Sequence, residues 1–158
     1  MSETATDAAG AAPSISIGIA QQYVKDLSFE SPATPQVFLE QAKQPDISVN
    51  FNVEAKNIRE DVFEVILNVE INSTIDGKPV FIAELAYAGL CQIKSTSPEI
   101  TQQALMIEVP RQLFPFARAI IANTVRDGGF PPLMLNPIDF NQFYRNHQQN
   151  AAAPADSA

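Results

Sequence analysis

Two stretches of period-two alternation, followed by one long apolar run, limit what this chain can fold into. Ile47, Val49, Phe51 and Val53 alternate with Ser48, Asn50, Asn52 and Glu54. Phe63, Val65, Leu67, Val69 and Ile71 alternate with Glu64, Asn68, Glu70 and Asn72. Successive side chains of a strand point to opposite faces, so the pattern predicts strands with one dry and one wet face. Asp76-Gly77 follows as a type I′ hairpin signal. Val80 to Ile93 is apolar on both faces and reads as a central strand. Ile15, Ile17 and Ile19 alternate with Ser16, Gly18 and Ala20, and this strand is expected to run on through Tyr23 to Phe29. The result is four strands, mostly antiparallel.

Helical signals come after the strands. Ser97-Pro98-Glu99 is a helix start: an N-cap, a proline at the first helical position, then an acid near the positive end. The pattern runs to Val109 and meets Pro110. A second stretch, Arg111 to Arg126, is stopped by Gly128-Gly129. Pro110 and Pro115 predict a break or kink between the two pieces. The apolar loop Phe130 to Pro137 leads to a short last helix with Phe140, Phe143, Tyr144 and His147 at helical spacing. Strands followed by helices predict an α+β fold: a four-stranded antiparallel sheet with two main helices on one face. The 158 residues suit one domain, 14–147, between low-complexity tails at 1–13 and 148–158 that read as disordered.

Charge narrows the function classes. Asp plus Glu number 18 against 10 Lys plus Arg, a net charge of -8. A nucleic-acid binder needs a basic face, so no nucleic acid is expected. One cysteine, Cys91, makes no internal disulfide, and Cys91 with the one histidine, His147, makes no zinc site. No metal or cofactor is expected, and the reduced thiol points to the cytoplasm. No run of 18 apolar residues or positively charged leader is present, so neither membrane insertion nor an export signal is expected.

Three features stand out. If the alternation holds, Glu54, Glu64, Glu70 and Glu84 share the solvent side of the sheet with Asp26 and Glu30. That is either an ordinary solvated face or a docking surface for a basic partner. Ile82, beside Glu84, is unusual on a merely solvated face. The segment Leu113 to Val125 is apolar almost all round, including Phe114, Ile120 and Ile121. Such a helix must be buried on two sides, which predicts an oligomer. The loop at Phe130, Leu133, Met134 and Leu135 is core packing or one wall of an apolar groove, with the edge strand Ile47 to Val53 opposite. Catalytic signals are thin: Cys91 reads as an inert core thiol, His147 as a rim residue, and no enzyme is expected.

Four segments, in order, resemble the SecB family of bacterial protein-export chaperones. They are Tyr23 to Pro32 (YVKDLSFESP), Phe81 to Leu85 (FIAEL), Leu113 to Arg118 (LFPFAR), and Gly129-Phe130-Pro131-Pro132-Leu133 with Leu135 to Phe140. The resemblance covers roughly Ile17 to Gln149. It implies a homotetramer, built as a dimer of dimers, that holds exported precursor proteins unfolded without ATP and passes them to the SecA translocation ATPase. Carried over by position, Asp26, Glu30, Ile82 and Glu84 would dock the motor through a basic, zinc-bearing segment of that partner. Ala83, Leu85 and Tyr87 would pack under the helices and affect assembly. Ile47, Val49 and Phe51 would line the client groove with the loop from Phe130 through Leu133 to Leu135, joined by Phe140 and Tyr144 on the last helix. No motor contact is carried over to the C-terminal tail. Two other readings are a SecB-like chaperone dedicated to a toxin–antitoxin pair and, in a different class, a small-ligand-binding oligomer. The latter would need ionisable groups converging on the groove.

Overall fold

The computed structural model describes residues 14–40 and 43–152. Four antiparallel strands, β1 (Ile15–Glu30), β2 (Asp46–Arg59), β3 (Val62–Ile75) and β4 (Lys78–Ser95), form one sheet in the order β1-β4-β3-β2. The long apolar run is therefore a central strand, as its two dry faces require. Asp76 and Gly77, at φ 51° and 76°, close the β3–β4 hairpin with both central residues left-handed. The β2–β3 hairpin turns at Glu60 (φ 36°), whose carbonyl accepts from Asn57 Nδ2 at 2.9 Å. No glycine marks that turn in the sequence.

Directly paired residues in antiparallel strands share a face. The helix-side face carries Val65, Leu67, Val69 and Ile71 of β3 and Ala83, Leu85, Tyr87 and Cys91 of β4, all buried. On β1 the register shifts twice, at Ala20 and at Lys25. Each bulge exchanges the two faces, and the second undoes the first. Asp26, Ser28 and Glu30 thus return to the outer face, opposite Ala86, Glu84 and Ile82. The even-numbered assignment of Asp26 and Glu30 holds because two bulges cancel. Between them Tyr23 also faces outward, opposite Ala88.

The helices cover the other face. Ser97 Oγ accepts the Ile100 N–H at 3.2 Å and caps α2 (Pro98–Gln103). Of the break or kink expected at Pro110, the break does not occur. A π-helical segment, Ala104–Glu108, carries the chain unbroken from α2 into α3 (Val109–Asp127). Within it the Val109 N–H reaches back to Ala104 O, so the helix is already widened where Pro110 lacks a donor. Pro115 sits on the exposed side of α3, as does Arg111, whose carbonyl it leaves to water. A one-turn helix, α1 (Gln36–Leu39), lies in the β1–β2 crossover; nothing in the periodicity signals it.

The last helix, α4 (Phe140–Ala152), corrects the boundary at His147. It starts where Asp139 Oδ1 accepts the Gln142 N–H at 3.2 Å, and it continues through Gln148, whose Nε2 donates to Tyr144 Oη at 2.8 Å. Gln and Ala are good helix formers, so the helix outlasts its apolar stripe. The expected disorder of residues 1–13 and 153–158 lies outside the described residues.

At the end of α3 the Phe130 N–H bonds Val125 O at 3.2 Å and the Gly129 N–H bonds Arg126 O at 2.9 Å, with Gly129 at φ 93°. This is a Schellman stop. The two glycines there do different work. Gly129 supplies the positive φ. Gly128 has an ordinary φ of -74°, but a Cβ on it would lie 2.4 Å from Phe29 Cζ. Gly128→Ala is therefore expected to destabilise the fold by roughly 1–3 kcal/mol through overpacking alone. In urea titrations, combining it with Phe29→Leu should cost less than the sum of the separate losses. Simple additivity would show that the ring is not what the glycine accommodates.

Candidate functional site: an apolar groove and an acidic sheet face

The Schellman turn aims Phe130 back at the sheet. Its ring lies 4.9 Å from Phe81 of β4 and 5.2 Å from Phe38 of α1, while Phe29 of β1 stacks on Phe81 at 5.6 Å. Phe38, Phe81 and Phe130, with Val37, Ile47, Ile75, Val80 and Leu133, border a groove of about 430 Å³, and Phe29 backs Phe81 from behind the wall. Prolines 131 and 132 stiffen its loop wall, and Ile47 at the start of β2 stands on the opposite side. Among the described residues no ionisable side chain lines it. Phe38 is 52% exposed and Leu39 79%, an unusual outlay of apolar surface on a one-turn helix at the rim.

The structure divides the proposed groove residues. Ile47, Phe130 and Leu133 meet in the groove. Leu135, Phe140 and Tyr144 do not: all are buried in the hydrophobic core. Phe51 packs edge-on against Phe114 at 6.3 Å, and Phe114 against Phe140 at 6.2 Å, so Phe51 belongs to a second aromatic cluster. Val49 is half-buried against the core beside it. Phe38 and Phe81 line the wall without any sequence signal for it. Period-two reading places Phe81 on a buried face but cannot show that the face opens at its end.

On α3, Leu113, Ala117 and Ile121 are fully buried against the sheet, and Phe114 is 8% exposed. Ala83, Leu85 and Tyr87 are buried on the helix-side face of β4. The other side of α3 stays open. Phe116, stacked 6.3 Å from Tyr87, is 51% exposed, and Ile120 is only partly covered. Val24 and Leu27 on the neighbouring edge of the sheet are 46% and 42% exposed. The near-circumferential apolar pattern therefore splits into a covered stripe and an uncovered one.

The outer sheet face holds a shallow depression bordered by Asp26, Asn50, Asn52, Asn68, Glu70 and Glu84. Glu84 and Glu70 are cross-strand neighbours, and Ile82 is half-buried opposite Glu30. Glu54 is exposed on the same face. Glu64 departs from expectation, being only 9% exposed. Lys25 Nζ donates to it at 2.8 Å and the Tyr23 hydroxyl donates to its other oxygen. Both side chains reach it across β4, where Ala86 and Ala88 leave room. The Lys25 ammonium, then the Tyr23 hydroxyl, hold the Glu64 carboxyl below its usual range against the opposing effect of burial. Burial, reinforced by Glu64, pushes the Tyr23 phenol up to about 12.

Other reactive groups are quiet. Cys91 is buried, donates to Phe63 O at 3.5 Å, and is pushed up to about 11 by burial. His147 is exposed. Among the described residues no group of three or more His, Cys, Asp or Glu is placed to hold a metal. No helix among them is long and apolar enough to cross a membrane.

Comparison with known proteins agrees with this architecture. A family model described as preprotein translocase subunit SecB matches residues 10–151. A protein-export protein SecB of Nitrobacter hamburgensis is 51% identical over 142 residues, 90% of this chain and 89% of the relative. Another, from Bradyrhizobium diazoefficiens, is 47% identical over 148 residues, 94% of this chain and 92% of the relative. In fold the chain is similar to a SecB-like chaperone of Mycobacterium tuberculosis solved with an antitoxin peptide (TM-score 0.65, 14% identity, covering 77% of this chain and 90% of that one).

Glu64 yields a direct test of the outer face. Glu64→Gln keeps the shape but removes the buried charge that two donors satisfy, at an expected cost of roughly 1–3 kcal/mol at neutral pH. Because the folded carboxyl sits below its ordinary value of 4.5, its contribution is present above that pH and is lost as pH falls through the lower folded value. Urea titrations of both proteins should therefore converge toward acid. A gap that stays constant with pH would remove the charge from the explanation.

Proposed function

The chain belongs to the SecB family of protein-export chaperones, and from that premise we propose that it is an ATP-independent holdase of the cytoplasm that delivers unfolded precursors to the SecA motor. The observation that carries the reading is the separation of two surfaces by one sheet. Among the described residues, an apolar, aromatic groove without ionisable groups lies at one end of the helix side, and carboxylates without cation partners lie on the opposite face.

The groove suits apolar and aromatic segments that a folded protein would bury. Each such side chain gains roughly 1.5–3 kcal/mol on full burial, enough to hold weakly and release. Tight retention then needs several grooves on one particle, where the second contact forms at high effective concentration. The uncovered stripe of α3, with Phe116 and the exposed Val24 and Leu27 of β1, supports self-assembly into the tetramer that would provide them. Ala83, Leu85, Tyr87, Phe114 and Ile121 act there indirectly, by seating the helix, and Ile120 by direct contact. Rapid folding of a client hides its apolar segments, so selection is partly kinetic. On the other face Asp26, Glu30 and Glu84, with Ile82 as an apolar contact, steer and receive a basic surface of the motor. The holdase performs no bond chemistry; energy for movement comes from the motor. Among the described residues the lining offers a small-ligand function Gln44 but no ionisable group.

Light scattering should find a particle of four times the 17.2 kDa chain that binds a slow-folding precursor only while it is unfolded. A monomer, or an assembly indifferent to folding state, refutes the holdase reading. The surfaces should also separate by mutation. Phe38→Ser with Ile47→Ser should weaken client capture roughly tenfold and leave motor binding unchanged. Asp26→Lys with Glu84→Lys should do the reverse. Loss of both activities in either variant would contradict two independent surfaces.

A further inference from the structure

The outer face is not uniformly acidic, and the arrangement of its cations is informative. Among the described residues Asp26, Glu30, Glu54, Glu70 and Glu84 make no ion pair. Lys25 is next to Asp26 in sequence, yet its ammonium goes to Glu64 on β3, with β4 between them. Lys56, the cross-strand partner of Glu64 on β2, lies on Glu64's other side. Two lysines thus flank one buried carboxylate at one end of the face, with Glu54 next to them on β2, while Asp26, Glu30, Glu70 and Glu84 lie toward the other end. Lys25 is also the extra residue of the second β1 bulge. A bulge residue can be re-aimed at low cost in pairing, so the ammonium needs a specific anchor if it is to stay away from Asp26.

We propose that Glu64 is a positioning residue for the acidic docking face: with the Tyr23 hydroxyl it anchors Lys25 at one end and so keeps Asp26 and Glu84 free for a cationic partner. This rests on the docking reading above. Without the anchor the Lys25 ammonium turns to the nearest free carboxylates and competes with the partner for them. A lysine-for-lysine competition at an exposed site is worth a few-fold in affinity.

The experiment titrates the SecA motor against the intact protein by calorimetry, in four forms, each checked for wild-type circular dichroism. Glu64→Gln should bind roughly three- to fivefold more weakly than wild type. Glu54→Gln removes one negative charge from the same face, more exposed than that of Glu64, but anchors no lysine, and should stay within about twofold. Adding Lys25→Met to Glu64→Gln should restore wild-type affinity. Equal losses in Glu64→Gln and Glu54→Gln would mean that only total charge matters and would overturn the proposal. So would a double variant that stays weak, since the defect would then be structural. A second readout does not depend on the motor. The NMR coupling from Lys25 Nζ to a carboxylate carbon should move from Glu64 in wild type to Asp26 or Glu84 in Glu64→Gln. A Lys25 that couples to no carboxylate in the variant overturns the inference even if docking is real. A wild-type protein that fails to bind the motor, with the coupling shift observed, refutes the docking reading instead.

Discussion

Leu113, Ala117 and Ile121 of α3 press onto the inner face of β3 and β4 with no exposed surface of their own. That burial is the contact on which the rest of the molecule depends. It sets which face of every strand is dry, because a one-residue slip in any strand would carry its apolar set to the wrong side. It also leaves the outer face without a covering layer. Everything exposed there must tolerate water, or be shielded as Glu64 is by Tyr23 and Lys25.

The covering is incomplete, and the incompleteness is what leaves apolar surface open. α3 ends in the Gly128-Gly129 stop, with the Phe29 ring packed against it and stacked on Phe81. Phe130, Phe38 and the proline-stiffened loop close over them only partly and leave the groove. On the other side of α3 the same economy leaves Phe116 and the β1 edge open. A domain of this size has one helical layer for a sheet with strands up to 18 residues long, and one layer cannot cover all of it. On the proposed reading, client capture and assembly would take the uncovered apolar parts, and motor docking the face that no layer covers.

Much of this was legible from local pattern. Alternation in β2 and β3 and the double-faced run of β4 are local properties, as are the Ser97 cap, the Asp76-Gly77 turn and the glycine stop. Each was read from a few neighbouring residues. Misreadings came where distant residues compete. Glu64 looks like any outward acid until Tyr23 and Lys25 arrive from β1. Leu135, Phe140 and Tyr144 look like groove residues until α4 folds back and buries them. Pro110 reads as a break because its rule is local, whereas the π segment that absorbs it is held by packing on both sides.

The sequence by itself determined the fold class, the dry face of the strands and the family, because side-chain period, caps and family segments do not depend on what lies elsewhere. Only the tertiary structure decided which aromatic rings form a groove and which form core. It alone decided where Lys25 points, and that two opposite shifts of register return Asp26 and Glu30 to the outer face. The physical reason is that bulges, ring contacts and ion pairs across a strand are settled by pairing between segments tens of residues apart. A strand's own residues state a preference for one face; its neighbours choose the register that satisfies it.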